Sequence, residues 1–201
     1  MVFTTTTTKI EKMSSLSTAN KIALVIEYDG TRYYGFQLQS NQPSIQAEIE
    51  KALWRLTGEK RRVMASSRTD AGVHAKGQVV SFRTGSRLSP QTFVNGLNYY
   101  LSKDIAVKAA HNVADSFNVR REAVSREYSY HILNSSTRSP IRESFSYHVP
   151  GYLDIESINM TCQTLVGEHD FVSFASKIGG EEKSTVRRVF RAGVEKSGDL
   201  I

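Results

Sequence analysis

Ser66-Ser67-Arg68-Thr69-Asp70-Ala71-Gly72-Val73-His74-Ala75-Lys76-Gly77-Gln78-Val79-Val80-Ser81-Phe82 is the stretch from which the rest of the chain is best read. Its first half is turn chemistry, because Ser, Thr and Asp bond to nearby backbone and Gly supplies dihedrals that other residues avoid. Its end, Gln78 to Phe82, reads as a strand, so Asp70 is expected on a tight connection beside a sheet. Loops held by rigid elements carry a large share of binding and catalysis. An aspartate in such a turn also serves as an Asx-turn or a helix cap, and that structural reading stands beside the functional one.

Working outward, Ile22 to Tyr28 is a short apolar run ending at Asp29-Gly30, a buried strand followed by a turn. Tyr33, Tyr34 and Phe36 crowd the loop that follows. Pro43-Ser44 opens a helix with Ile45, Ile49, Ala52, Leu53 and Leu56 on one face, closed by Gly58. Arg61 to Ala65 leads as a strand into the Asp70 turn, and Gln78 to Arg83 leaves it. Ser89-Pro90 starts a second helix with Phe93, Leu97, Tyr100 and Leu101 as its stripe, and Ile105 to Val113 returns as a strand. The order strand, helix, strand, strand, helix, strand predicts an α+β fold. It is a ferredoxin-like module of βαββαβ type over residues 21–115, with an antiparallel sheet, both helices on one face and the other face free to bind.

A second module is expected over residues 116–201. In Tyr128-Ser129-Tyr130-His131-Ile132-Leu133 the alternation puts Tyr128, Tyr130 and Ile132 on one face of a strand. Asn134 to Gly151 is a polar connection. Asp154 then caps a helix with Ile155, Ile158, Cys162, Leu165 and Val166 inward and Gly167 at its end, and Thr185 to Val194 is a further strand. Strand, helix and strand make a second ferredoxin-like module that is incomplete. Residues 1–20, with Thr4 to Thr8 and a second Ser/Thr cluster, read as a disordered tail, with Met13 an alternative start.

With 39% hydrophobic and 23% charged residues, the 201-residue chain is ordinary for a globular protein. A net charge of +6 favours polyanionic partners, nucleic acid first, with a merely solvated basic surface as the alternative. The single cysteine, Cys162, excludes an internal disulfide and a multi-thiolate zinc site, and the five histidines form no metal-binding pattern. A reducing, cytoplasmic compartment fits this usage. No apolar run approaches the length needed to span a membrane.

From about Ile22 to its last residue, the sequence resembles the tRNA pseudouridine synthase A family. Arg68-Thr69-Asp70-Ala71-Gly72-Val73-His74-Ala75 with Gly77-Gln78-Val79 is similar to the family's active-site motif, and Tyr28-Asp29-Gly30-Thr31 with Tyr33 and Gly35-Phe36-Gln37 to its first motif. Leu97-Asn98, Asp104-Ile105, Phe117 with Arg120, Tyr128 with Tyr130, Asp170-Phe171, Ser173-Phe174 and Thr185-Val186-Arg187 follow in the family's order. Departures are Ser67 for a usual glycine, Phe36 for tryptophan, Asn118-Val119 for His-Ala and Ser102 for proline. Family members normally continue through further strands and a helix, so the resemblance implies a C-terminally truncated chain.

The resemblance implies isomerisation of uridine to pseudouridine at positions 38–40 of the tRNA anticodon stem-loop, without cofactor or metal, by a homodimer. Asp70 is then the essential carboxylate. An ionised carboxylate can attack or take a proton and be released unchanged. Burial alone would raise its pKa, and by resemblance Arg187 is the cation that offsets this, although a surface arginine on a strand is the plain alternative. Arg68 helps hold the flipped nucleotide by resemblance, and Tyr128 is a platform for the uracil or, on burial habit, a core residue. Lys76, Arg120 and Arg126 are candidates for positioning phosphates, and each is otherwise a solvated charge. His74 reads as structural. Two rivals remain: a non-catalytic RNA-binding module, and a glycosidase, which would need a second facing carboxylate that the sequence near Asp70 lacks.

Overall fold

The computed structural model describes residues 2–8, 20–174 and 184–201. Contacts divide the chain into two units, Met1–Tyr130 and His131–Ile201. The first contains β1 (Val2–Thr8), β2 (Asn20–Tyr28), α1 (Ile45–Thr57), β3 (Met64–Ala65), β4 (His74–Thr84), α2 (Pro90–Tyr100), β5 (Ile105–Val113) and β6 (Ala123–Tyr130). They form one sheet in the order β5-β2-β4-β1-β6, with β3 added to β4. The β5-β2-β4-β3 part is antiparallel throughout and is the strand order of the ferredoxin-like unit expected from the sequence.

Alternation along β2 explains the core. Ile22, Leu24, Ile26 and Tyr28 are buried in one cluster with Ile45, Ile49 and Leu53 of α1, Phe93 and Leu97 of α2, and Val80 and Phe82 of β4. The helix boundaries follow local chemistry. Ser44 Oγ accepts from Ala47 N, and Gly58, at φ 74°, donates its N–H to Trp54 O, as a left-handed C-terminal residue should. Ser89 caps α2 ahead of Pro90, and Asn98 clamps α2 to β5 by donating to Val107 O and accepting from Val107 N.

Several features differ from the sequence reading. The face opposite the helices is not free, because Phe117 and Val119 cover Ala23, Val79 and Val113 there. Lys21 Nζ fastens that covering segment by donating to Asp115 O and Phe117 O. Second, Val2–Thr8 lies in the stretch expected to be a disordered tail, yet it is a strand, parallel to β4 and antiparallel to β6. A polar Thr run lacks the hydrophobicity that signals structure, but β-branched residues suit a strand flanked on both sides by backbone partners. The rest of that stretch, 9–19, falls outside the described residues.

Third, the division comes after Tyr130 rather than after residue 115, because β6 pairs with β1 along its length. The strand ends there, so Tyr128 and Tyr130 do not share it with Ile132. In the second unit β7 (Ile132–Leu133) pairs with β8 (Tyr147–His148), and α3 (Ile155–Gln163) starts at the Asp154 cap. Then β9 (Gly167–Asp170) runs antiparallel to β10 (Val186–Val189), a shorter strand than Thr185 to Val194. Along the expected inward stripe Ile155, Ile158 and Cys162 are half-buried, whereas Leu165 and Val166 are exposed.

Candidate active site on the Asp70 turn

The turn between β3 and β4 turns some of its side chains inward and others to solvent. Ser66 and Thr69 are buried, whereas Arg68 and Asp70 are exposed. Its stem is set where Ser66 N donates to Val79 O at 2.9 Å, and its tip where Val73 N donates to Asp70 O at 3.2 Å, with Gly72 at φ 76°. On the inner side Thr69 O accepts from Phe36 N at 3.0 Å, and Tyr33 O accepts from Gly72 N at 3.2 Å. Glycines permit this approach. A Cβ on Gly35 would lie 2.5 Å from Thr69 O, and one on Gly30 would lie 2.1 Å from Val73 O.

Two of the arginines singled out from the sequence reach the stem of this turn. Arg126 Nη2 donates to Ser66 O at 3.0 Å, and Arg120 Nε donates to Ala65 O at 3.4 Å. Each still has donors left for an anionic ligand, since a guanidinium carries five. Lys76 Nζ lies 4.9 Å from the centre of the Phe3 ring, a cation–π contact. Tyr128 is 59% exposed on β6. Thr4 pairs with Ala75 of β4 on one side and with Tyr128 on the other, so two strand spacings, roughly 10 Å, separate Tyr128 from the residue after His74. Arg187, in the second unit, donates to Ser184 O and Val186 O of its own segment.

Polar residues with no role assigned from the sequence lie behind the turn. Tyr28 OH and Thr69 Oγ1 are 2.8 Å apart, and Gln78 bonds Ser66 Oγ and Ser67 O. Burial pushes the Tyr28 hydroxyl up to about 12, against smaller opposing effects of its hydrogen bonds to Thr69 and Gln78. His74 is buried, stacked on Phe3 at 4.8 Å, with Nδ1 3.2 Å from Gly30 N and 3.1 Å from Asp29 Oδ1. Burial works against ionisation of Asp29, but donation from Thr31 N and Oγ1 holds its pKa below the usual carboxylate value. Among the described residues, no group of three His, Cys, Asp or Glu could hold a metal ion, and no helix is long and apolar enough to cross a membrane.

A family model described as tRNA pseudouridine synthase matches residues 24–120, a span that includes the whole turn. The chain is 44% identical over 180 residues to tRNA pseudouridine synthase A of Geotalea daltonii, covering 90% of this chain and 73% of that protein. It belongs to the tRNA pseudouridine synthase A family. The synthase A proteins of Geotalea uraniireducens, at 44% over 181 residues, and Pelobacter propionicus, at 42% over 180, match over the same 90% of the chain and over 74% and 73% of their own lengths. For a member of this synthase family, the relevant local fact is that Arg68 and Asp70 are presented outward from a turn whose other side is bonded to β2, β4 and the loop around Gly35.

Proposed function

We propose that this chain isomerises uridine to pseudouridine in tRNA, at positions 38–40 of the anticodon stem-loop, with Asp70 as the essential carboxylate. The observation that carries the reading is the exposed Asp70, beside exposed Arg68, on a turn anchored from behind, in a chain of this family. In the reaction the C1′–N1 glycosidic bond breaks and a C1′–C5 bond forms. The hydrogen on C5 leaves as a proton and N1 takes one up, so neither water nor redox change enters the balance. A carboxylate serves either as a nucleophile that is later expelled or as a base, and both roles fit this balance.

The target base must leave its stack first, at a cost of a few kcal/mol that contacts to the flipped nucleotide offset. We assign those contacts to Arg68 and Tyr128, phosphate positioning to Lys76, Arg120 and Arg126, and a catalytic role to Arg187. The Arg187 role rests on the family resemblance. We further propose that the active species is a cytoplasmic homodimer, which sedimentation of the purified protein would test.

The deciding experiment measures pseudouridine formation on an unmodified tRNA transcript by the chain and by Asp70→Asn. Loss of product in the variant alone, with the base retained in the RNA, supports the synthase reading. Inactivity of both proteins with tRNA binding intact would make the chain an RNA-binding module, and release of free uracil would indicate a glycosidase.

A further inference from the structure

Gln78 of β4 has no exposed surface, although it is a polar residue in a strand whose neighbours Val79 and Val80 are core. Its Oε1 accepts from Ser66 Oγ at 2.7 Å and from Val79 N at 3.2 Å, and its Nε2 donates to Ser67 O at 2.8 Å. The partners fix which way the amide points, since Val79 N–H can only donate and Ser67 C=O can only accept. No other side chain of this size supplies a donor and an acceptor at the same two points at neutral pH. Glutamate offers two acceptors, methionine offers neither, and asparagine is one methylene short. The residues it holds are the two that precede Arg68. Thr69, between the two outward charges, has its own fixed point in the bond with Tyr28.

We propose that Gln78 is a positioning residue for the reaction. Its amide fork fixes Ser66 and Ser67, and the Tyr28–Thr69 bond fixes the next inward residue, so Arg68 and Asp70 keep one geometry relative to the sheet. The inference rests on the reading of Asp70 as the reacting carboxylate. It assigns Gln78 no contact with the RNA. Its loss therefore shows in the rate of the chemical step rather than in the affinity for tRNA.

The test uses Gln78→Met and Gln78→Glu in the full chain, with saturating and subsaturating tRNA, and hydrogen exchange at Phe36 N, which donates to Thr69 O. For Gln78→Met the expected result is a kcat lower by on the order of 10²-fold, the usual consequence of misplacing reacting groups by about 1 Å, with KM nearly unchanged and faster exchange at Phe36 N. Gln78→Glu gives the more specific signal. Ionised, it repels Ser67 O, whereas protonated it can donate there; burial raises its pKa, Tyr28 faces it, and the Arg126 guanidinium on Ser66 O is the nearby cation that opposes the rise. Its kcat relative to that of the native chain should therefore climb as pH falls from 8 to 6, a pattern that general destabilisation does not produce.

A native kcat in Gln78→Met, or a constant ratio between Gln78→Glu and the native chain across that range, overturns the proposal. Should Gln78→Met fail to fold, the Gln78→Glu profile decides alone. The two levels separate cleanly. Full activity in Asp70→Asn refutes the reading of Asp70, whereas an inactive Asp70→Asn alongside a fully active Gln78→Met refutes only the role of Gln78.

Discussion

Gly35→Ala should damage catalysis more than stability, and its size can be worked from the backbone. Gly35 sits at φ 87°, where a residue with a Cβ is strained by roughly 1–2 kcal/mol. The added Cβ would also lie 2.5 Å from Thr69 O and 3.2 Å from the carbonyl carbon of Asp70. A relaxed C···O contact is about 3.3–3.6 Å, so the loop or the turn must move by roughly 1 Å. The moving atoms belong to the residues that carry and flank the carboxylate, and a displacement of that size costs on the order of 10²-fold in rate. Two other glycines separate strain from displacement. Among the described residues nothing lies within 4 Å of the point where a Cβ would sit on Gly58, at φ 74° beyond the end of α1, so Gly58→Ala carries strain alone and should keep full kcat. Gly30→Ala meets Val73 O at 2.1 Å without a left-handed φ, so it carries displacement alone and should lose activity. Urea unfolding and single-turnover pseudouridine formation on all three variants give the comparison. Equal kcat in Gly35→Ala and Gly58→Ala would refute the claim that the Gly35 loop sets the position of Asp70.

Three further outcomes follow from buried polar groups. The folded chain holds the Tyr28 proton to about pH 12 while an unfolded tyrosine ionises near 10, so stability is complete below pH 10 and declines by about 1.4 kcal/mol per unit as pH rises to 12. Tyr28→Phe should lack that alkaline slope in urea titrations, and an unchanged slope would place its origin elsewhere. Thr4 Oγ1 is buried on β1 without a hydrogen-bond partner among the described residues, so Thr4→Val, which keeps the shape and removes the hydroxyl, should stabilise by about 1 kcal/mol; destabilisation would argue against the β1 pairing. Asn98→Ala strips both Val107 N and Val107 O of their partner and should cost roughly 2–4 kcal/mol in denaturant unfolding, whereas a loss below about 0.5 kcal/mol would mean that the α2–β5 clamp contributes little.

Local chemistry made much of the first unit legible. Ser44 and Gly58 mark α1, and Ser89-Pro90 marks the start of α2, because caps are short-range signals. The apolar alternation of β2 and the turn residues around Asp70 are equally local. What escaped was set by partners far along the chain. Strand β1 is a threonine run that becomes a strand only between β4 and β6. Its pairing with β6 also moves the division between units past Tyr130. Charge alone points Arg120 and Arg126 at phosphates, and the structure adds that both already donate to the backbone at the foot of the Asp70 turn.

The inner half of the turn was hidden for a different physical reason. Ser66, Thr69 and Gln78 are buried, yet each is polar, so a hydropathy pattern scores them as surface. Polar chemistry is nevertheless what that position demands. A tight turn leaves backbone carbonyls that no strand pairing satisfies, and a buried carbonyl without a donor is costly. Gln78 answers Ser67 O, and Phe36 N answers Thr69 O. An apolar lining would leave those groups unbonded, or would let the turn shift outward to find water, carrying Asp70 with it. Directional bonds also fix orientation in a way that non-directional apolar packing does not. A turn that sends Arg68 and Asp70 toward solvent while burying Ser66 and Thr69 therefore requires hydrogen-bonding side chains at its inward positions. A Ser66→Ala, Thr69→Val double variant would keep the burial and lose the bonds, and it should retain the fold while the rate at Asp70 falls.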